Sequence, residues 1–203
     1  MNELPIRLVP DRIEAGVDEV GRGCLAGPVV AAAVILPPDC SISGLHDSKK
    51  LSPRRRNELS EKIKEEAIAY AIAEVSSEQI DRVNILNATF LAMEQAITKL
   101  APQPEYLLID GNRFRSHLSI PFTTLVGGDD QVASIAAASI LAKTYRDALM
   151  MELAIRYPEY DWASNMGYGT PKHLEAIRAH GITPYHRRSF GPCQPTLFDI
   201  VNP

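Results

Sequence analysis

Two adjacent carboxylates, Asp18 and Glu19, close a short apolar run, and Gly21-Arg22-Gly23 follows them at once. A carboxylate placed where a hydrophobic strand ends costs several kcal/mol to bury unless it is paired or holds a metal. Two more sites repeat that placement: Asp110 ends the apolar run Tyr106 to Ile109, and Asp129 stands in Gly127-Gly128-Asp129-Asp130 after the run Pro121 to Val126. The plain structural alternatives are an arginine partner for Asp18, a solvated strand end for Glu19 and helix caps for Asp129 and Asp130. Four converging carboxylates would raise one another's pKa, and hard divalent ions resolve that conflict. The chemistry expected of such a site is phosphodiester cleavage assisted by two ions roughly 3.5 to 4 Å apart. The glycines at 21 and 23 allow positive φ and leave backbone N–H groups uncovered for a ligand oxygen.

The elements that must position these residues are legible from periodicity. A first strand ends at the Asp18-Glu19 pair, a tight glycine turn follows, and Val29 to Leu36 returns antiparallel. Successive strand residues face opposite sides, so Asp18 and Glu19 diverge unless the chain bends there. Pro37-Pro38 stops the second strand. Ser52 caps and Pro53 opens a helix running to about Ala67, with Leu59 and Ile63 inward. Alternation from Ala69 to Val75 predicts a third strand antiparallel to the second. A short helix over Ser77 to Val83 and a longer one from about Leu86 to Leu100 follow, then strands at Tyr106–Ile109 and Pro121–Val126. A long helix from Gln131 to about Tyr157 comes next, capped by one aspartate of the Asp129-Asp130 pair. Thr170-Pro171 starts a last helix that Gly181 stops. Such alternation predicts an α/β fold, a mixed five-stranded sheet with helices on its faces and ligands at the converging strand ends.

Composition narrows the function classes. The 203 residues are 45% hydrophobic and 23% charged, which suits one domain with a sizeable core. The longest apolar run is too short to span a bilayer, and the start lacks a signal-peptide pattern. Cysteines at 24, 40 and 193 have no metal-site spacing and cannot all pair, which points to a reducing cytoplasm. The net charge of −4 argues against a non-specific polyanion binder, so any nucleic-acid role rests on local basic patches or on metal bridging acid to phosphate. Gly21-x-Gly23-x-x-x-Gly27 does not fit the dinucleotide fingerprint, and no P-loop occurs. His173, His180 and His186 lack metal-site spacing and read as surface or hydrogen-bonding residues. Arg187 and Arg188 read as phosphate contacts or partners of acids.

Taken together, several stretches resemble bacterial ribonuclease HII, a type 2 ribonuclease H. They are Asp18-Glu-Val-Gly-Arg-Gly23, Asp47-Ser-Lys-Lys-Leu51, Ile85-Leu-Asn-Ala-Thr89, Leu108-Ile-Asp-Gly111, Gly128-Asp129 and Ser134-Ile-Ala-Ala-Ala-Ser-Ile-Leu-Ala-Lys143. Gly167-Tyr-Gly-Thr170 and His186-Arg-Arg-Ser-Phe190 extend the likeness. The resemblance implies a ribonuclease H-like fold over residues 1–190, with a C-terminal helical part and a tail over 191–203. It implies that Asp18, Glu19, Asp110 and Asp129 hold Mg²⁺ or Mn²⁺. The substrates implied are ribonucleotide-containing duplex DNA and RNA–DNA hybrids, cut on the 5′ side of a ribonucleotide to give 3′-hydroxyl and 5′-phosphate ends. Gly21, Arg22 and Gly23 would read the ribose 2′-hydroxyl, Tyr168 would stack on the next deoxyribose, and Lys49, Ser139 and Lys143 would hold flanking phosphates.

The chain departs from the family pattern at Gly127, where lysine is usual, and at Asn165-Met166, where a His-Lys pair is usual. Each lost phosphate contact flattens the salt dependence of binding by about one. Cys24 replaces a frequent proline and reads as a small buried filler. Gln194, Leu197 and Phe198 in the tail resemble the peptides by which bacterial repair enzymes grip the sliding clamp, the alternative being that Leu197 and Phe198 pack on the domain. No coiled coil or exposed edge argues for more than a monomer. A transposase or junction resolvase would share the carboxylates without needing Gly-Arg-Gly and Tyr168. A non-catalytic binding module would need no paired acids.

Overall fold

The computed structural model describes residues 4–9, 11–45, 48 and 51–194. Five strands form one sheet: β1 (Glu14–Val20), β2 (Val29–Ile35), β3 (Ala69–Val75), β4 (Tyr106–Asp110) and β5 (Phe122–Leu125). Their order is β3-β2-β1-β4-β5. β1 pairs antiparallel with β2 and parallel with β4, β2 pairs antiparallel with β3, and β4 runs parallel to β5. The expected mixed sheet is therefore present, with β1 at its centre. The β1–β2 connection, over residues 21–28, is longer than a hairpin turn.

Alternating side chains build a core on each face. On one face Val17, Val29, Ala31 and Ile35 meet Ile80 of α2 (Ser77–Val83) and Ala88, Ala92 and Ile97 of α3 (Ile85–Thr98). On the other, Val30, Ala32 and Val34 meet Leu59 and Ile63 of α1 (Pro53–Glu66) and Ala136, Ala137 and Ile140 of α4 (Ala133–Arg156). The small residues of α4 let it lie close to the sheet. At Gly16 in β1 an added Cβ would stand 2.2 Å from the Ser134 carbonyl carbon, so only glycine fits there.

Ser52 caps α1, accepting from the Arg55 N–H, as its sequence predicts. The predicted aspartate cap of α4 is not formed. Asp129 and Asp130 lie in a separate 3₁₀ turn, Gly128–Asp130, and α4 begins after Val132 with no side-chain cap. Beyond α4, α5 (Trp162–Asn165) and α6 (Pro171–His180) pack around Trp162, Tyr160 and Met150 as a small C-terminal core. Thr170 and Gly181 bound α6 as expected. Among the described residues no helix is long and apolar enough to cross a membrane.

Candidate active site

Parallel pairing of β1 with β4 sets two acid-bearing strand ends side by side. Asp18, Glu19 and Asp110 each present one carboxylate oxygen, and those three atoms lie within 4.8 Å of one another. Asp18 faces α4, where the Ser139 side chain hydrogen-bonds it, while Glu19 opens on the α3 side, in a groove with Thr89 and Phe90. The two do aim apart, as strand periodicity predicts, yet one oxygen of each lies within 4.8 Å of the other and of Asp110. The Glu19 N–H donates to Asp18 Oδ1 at 2.7 Å, Arg22 Nη1 donates to Glu19 Oε1 at 3.2 Å, and the Gly128 N–H donates to Asp110 Oδ1 at 2.7 Å.

The electrostatics match a cation site. Burial first, then the charges of Glu19 and Asp110, push the Asp18 carboxyl well above the usual carboxylate range. Burial also raises Glu19, against the opposing pull of Arg22. Glu19 Oε2 is buried with no hydrogen-bond partner. An orphaned carboxylate oxygen beside two further acids is the donor set of a hard divalent ion. Asp129 is buried and sits in the 3₁₀ turn whose first residue binds Asp110, but it stands outside the trio.

Two arginines, neither of them legible as buried from the sequence, shape the loop beside this trio. Arg187 and Arg146 are both fully buried. Arg187 donates to the carbonyls of Gly21 (2.7 Å), Arg22 (2.9 Å) and Gly27 (2.9 and 3.1 Å). Arg146 donates to Ala26, Pro28 and Met166. The expectation of a phosphate or an acid as the partner of Arg187 is corrected: its guanidinium hydrogen-bonds backbone carbonyls of the 21–28 loop. Gly21 has φ +93°, and a Cβ there would stand 2.3 Å from Arg146 Nε, so both conformation and space demand glycine.

Tyr168 is 44% exposed beside this loop. A Cβ at Gly23 would lie 3.8 Å from its ring, so Gly23 and Tyr168 flank one surface. The 167–168 backbone is held firmly. The Gly167 carbonyl accepts from the Leu25 N–H at 2.8 Å, and the Tyr168 carbonyl accepts from His173 Nδ1 at 2.8 Å. His173 Nε2 in turn accepts from Trp162 Nε1 and lies 3.0 Å from His186 Nε2, while His186 Nδ1 accepts from the Thr183 N–H. His173 and His186 are therefore hydrogen-bonding residues of the interior; of the two expectations for them, the surface one does not hold. Burial lowers the pKa of each, that of His186 to about 4.

Asn165, one of the departures from the family pattern, braces the same backbone. Its Nδ2 donates to the Tyr160 carbonyl and its Oδ1 accepts from the Gly167 N–H.

The residues expected at phosphates have other neighbours in this structure. Lys49 lies outside the described residues. Ser139 is buried between Asp18 and Ser48, its Oγ 2.9 Å from Ser48 Oγ. Lys143 pairs with Asp147 at 2.6 Å, and Asp147 also binds Arg56, which donates to the carbonyls of Ser48 and Leu51. That chain of contacts ties the Ser48 segment to α1 and α4.

Over residues 15–193 the sequence matches the ribonuclease HII family. The ribonuclease HII of Parabacteroides distasonis is 62% identical over 179 residues, covering 88% of this chain and 90% of that protein. Among solved structures, the ribonuclease H2 of Pyrococcus horikoshii is similar at a TM-score of 0.75 and 25% identity, covering 89% of this chain and 94% of that one. The RNase HII in the PCNA:RNase HII complex from Archaeoglobus fulgidus is similar at a TM-score of 0.71 and 27% identity, covering 92% and 99%. With the acidic trio at adjoining strand ends of this sheet, and with relatives of that identity over nearly their whole length, the chain belongs to the ribonuclease HII family and is an endoribonuclease of the ribonuclease H type.

Proposed function

We propose that this endoribonuclease cuts on the 5′ side of a ribonucleotide embedded in duplex DNA, as well as within RNA–DNA hybrids, leaving 3′-hydroxyl and 5′-phosphate ends. The observation that carries the reading is the juxtaposition of the Asp18–Glu19–Asp110 trio with the Gly21–Gly23 loop and Tyr168. Asp18, Glu19 and Asp110, with Asp129 from the neighbouring turn, would hold Mg²⁺ or Mn²⁺. Such an ion supplies Lewis acidity to phosphoryl oxygens and acidifies its water.

The chain's own groups set the specificity. The Gly21 and Arg22 carbonyls accept from Arg187, which leaves the N–H groups of the turn to donate to a ribose 2′-oxygen. Tyr168 offers an exposed ring for the following sugar, at a position its carbonyl bond to His173 fixes. Water adds to phosphorus as the P–O3′ bond breaks, and that oxygen leaves as the 3′-hydroxyl. Lys49, Ser139 and Lys143 are proposed for flanking phosphates, Lys143 by releasing Asp147. The tail through Gln194, Leu197 and Phe198 is proposed to bind a sliding clamp, a reading supported by the Archaeoglobus relative having been solved with PCNA; Leu197 and Phe198 lie outside the described residues. The enzyme is proposed to act as a cytoplasmic monomer.

Digestion of a duplex with one embedded ribonucleotide, with chelator and all-DNA controls, tests the reading. Metal-dependent cleavage at the 5′ side of that ribonucleotide is expected, and Asp110→Asn should bind but cut at least about 100-fold more slowly. Equal cleavage of the all-DNA duplex would favour a transposase- or resolvase-like activity and overturn it.

A further inference from the structure

The segment joining β4 to β5 crosses the α3 face of the sheet without forming a helix. Its side chains alternate: Arg113, Arg115 and His117 are exposed, whereas Phe114 is buried edge-on between Phe90 and Phe122, with ring centroids 6.1 and 5.2 Å away. That alternation is the habit of extended chain, which sets Arg113 and Arg115 about 7 Å apart, the order of the step between neighbouring phosphates of one strand. Neither arginine has an ion-pair or hydrogen-bond partner among the described residues, in a chain whose net charge is −4. The acid nearest the end of the row, Glu94, is engaged by the N–H and Nδ1 of His117.

The surface beneath these cations is a groove made of three adjoining depressions. The first contains Glu19 and Asp110 and is lined by Arg113; the second is lined by both Arg113 and Arg115; the third by Arg115 and His117. Shared lining residues make the three continuous, so the groove starts at the acidic trio and leads away from it. Its floor is apolar where Phe122 and Leu86 are exposed. An apolar floor beneath two cations about 7 Å apart suits a sugar–phosphate backbone, with sugars on the floor and phosphates at the rim.

We infer that the groove holds a strand of the bound duplex beyond the cleavage position, with Arg113 and Arg115 each neutralising one phosphate. This rests on the proposed nucleic-acid substrate and adds a binding track that none of the family motifs contains. Binding of a fluorescent ribonucleotide-containing duplex, measured in chelator by anisotropy over a series of salt concentrations, tests it. For R113Q/R115Q the slope of log K against log salt should be shallower by about 1.8, with a Kd raised several-fold. The matched pair K62Q/K64Q, on α1 at the opposite face of the sheet, should leave the slope unchanged. Thermal melts of both variants establish that they are folded.

An unchanged slope in R113Q/R115Q overturns the inference and leaves the groove to another occupant, such as a peptide. An equal loss in K62Q/K64Q also overturns it, because the effect would then be general charge. Since the readout is binding, it stands apart from the cleavage reading, which fails only if the wild-type enzyme does not prefer the ribonucleotide-containing duplex.

Discussion

Replacing Arg187 by methionine isolates the clamp that shapes the loop beside the acidic trio. Its guanidinium makes four hydrogen bonds to three carbonyls, those of Gly21 and Gly27 buried and that of Arg22 part-buried. Removing it takes that donor from each carbonyl at about 1 to 3 kcal/mol apiece, Gly21 keeping a long bond from the Cys24 N–H at 3.4 Å. Against this, the variant no longer buries an unpaired charge. Burial pushes the Arg187 pKa down to about 10, so the charged form carries a penalty of about 3 kcal/mol at neutral pH, where it stays protonated. At the middle of that range the balance is a loss of about 3 kcal/mol. Arg187→Lys should recover only part of it, because one ammonium cannot span three carbonyls as a planar fork does. Urea unfolding at neutral pH measures both variants. Cleavage assayed well below the unfolding midpoint should fall further than the unfolded fraction explains, since Arg22, which pairs with Glu19 of the acidic trio, rides on that loop. A methionine variant within about 1 kcal/mol of wild type would refute the reasoning.

Two further outcomes follow from the carboxylates and histidines, with opposite signs. Because the folded-state pKa of Asp18 is raised, its ionisation works against folding, and that cost grows as pH rises from its unfolded value toward the folded one. In chelator at neutral pH, Asp18→Asn should therefore melt about 2 to 4 °C higher for each kcal/mol relieved, and added Mg²⁺ should raise the melting point of wild type but much less that of the variant; a lower melting point in chelator counts against the site. His186 is shifted downward, so between pH 6.5 and about 4 the unfolded chain binds a proton that the folded chain refuses, and stability falls on acidification by at most about 3 kcal/mol. Urea midpoints of wild type and His186→Asn across that range test this, and parallel pH profiles would show that His186 does not titrate as described.

Much of the architecture is readable from local pattern. Strands such as Ala69–Val75 declare themselves by alternation, and Ser52-Pro53 and Thr170-Pro171 by capping chemistry. Asp18, Glu19 and Asp110 are recognisable because charge at the end of an apolar run needs an explanation. What stays hidden depends on contacts between distant segments. An arginine near residue 187 looks like a partner for phosphate or acid until the carbonyls of residues 21–27 are seen to need donors. His173 and His186 look dispersed until α6 brings them together around Trp162. One aspartate of the Asp129-Asp130 pair looks like the cap of α4 because the 3₁₀ turn that precedes that helix has no distinct local signature. Arg113 and Arg115 carry no signal in the sequence, since a two-residue spacing becomes a row only when Phe114 anchors the chain between them.

The bond from Arg187 to the Gly21 carbonyl spans 166 positions, and this orders events during synthesis. Domains fold as the ribosome delivers them, beginning at the N-terminus. The five strands are complete once residue 125 has emerged, but the loop next to the acids waits for a guanidinium made some sixty residues later. A prematurely terminated product can thus assemble its sheet and gather its acids while lacking the fastening that shapes the loop beside them. Under the proposed function, cleavage is then expected of nearly finished polypeptides alone and not of fragments released early.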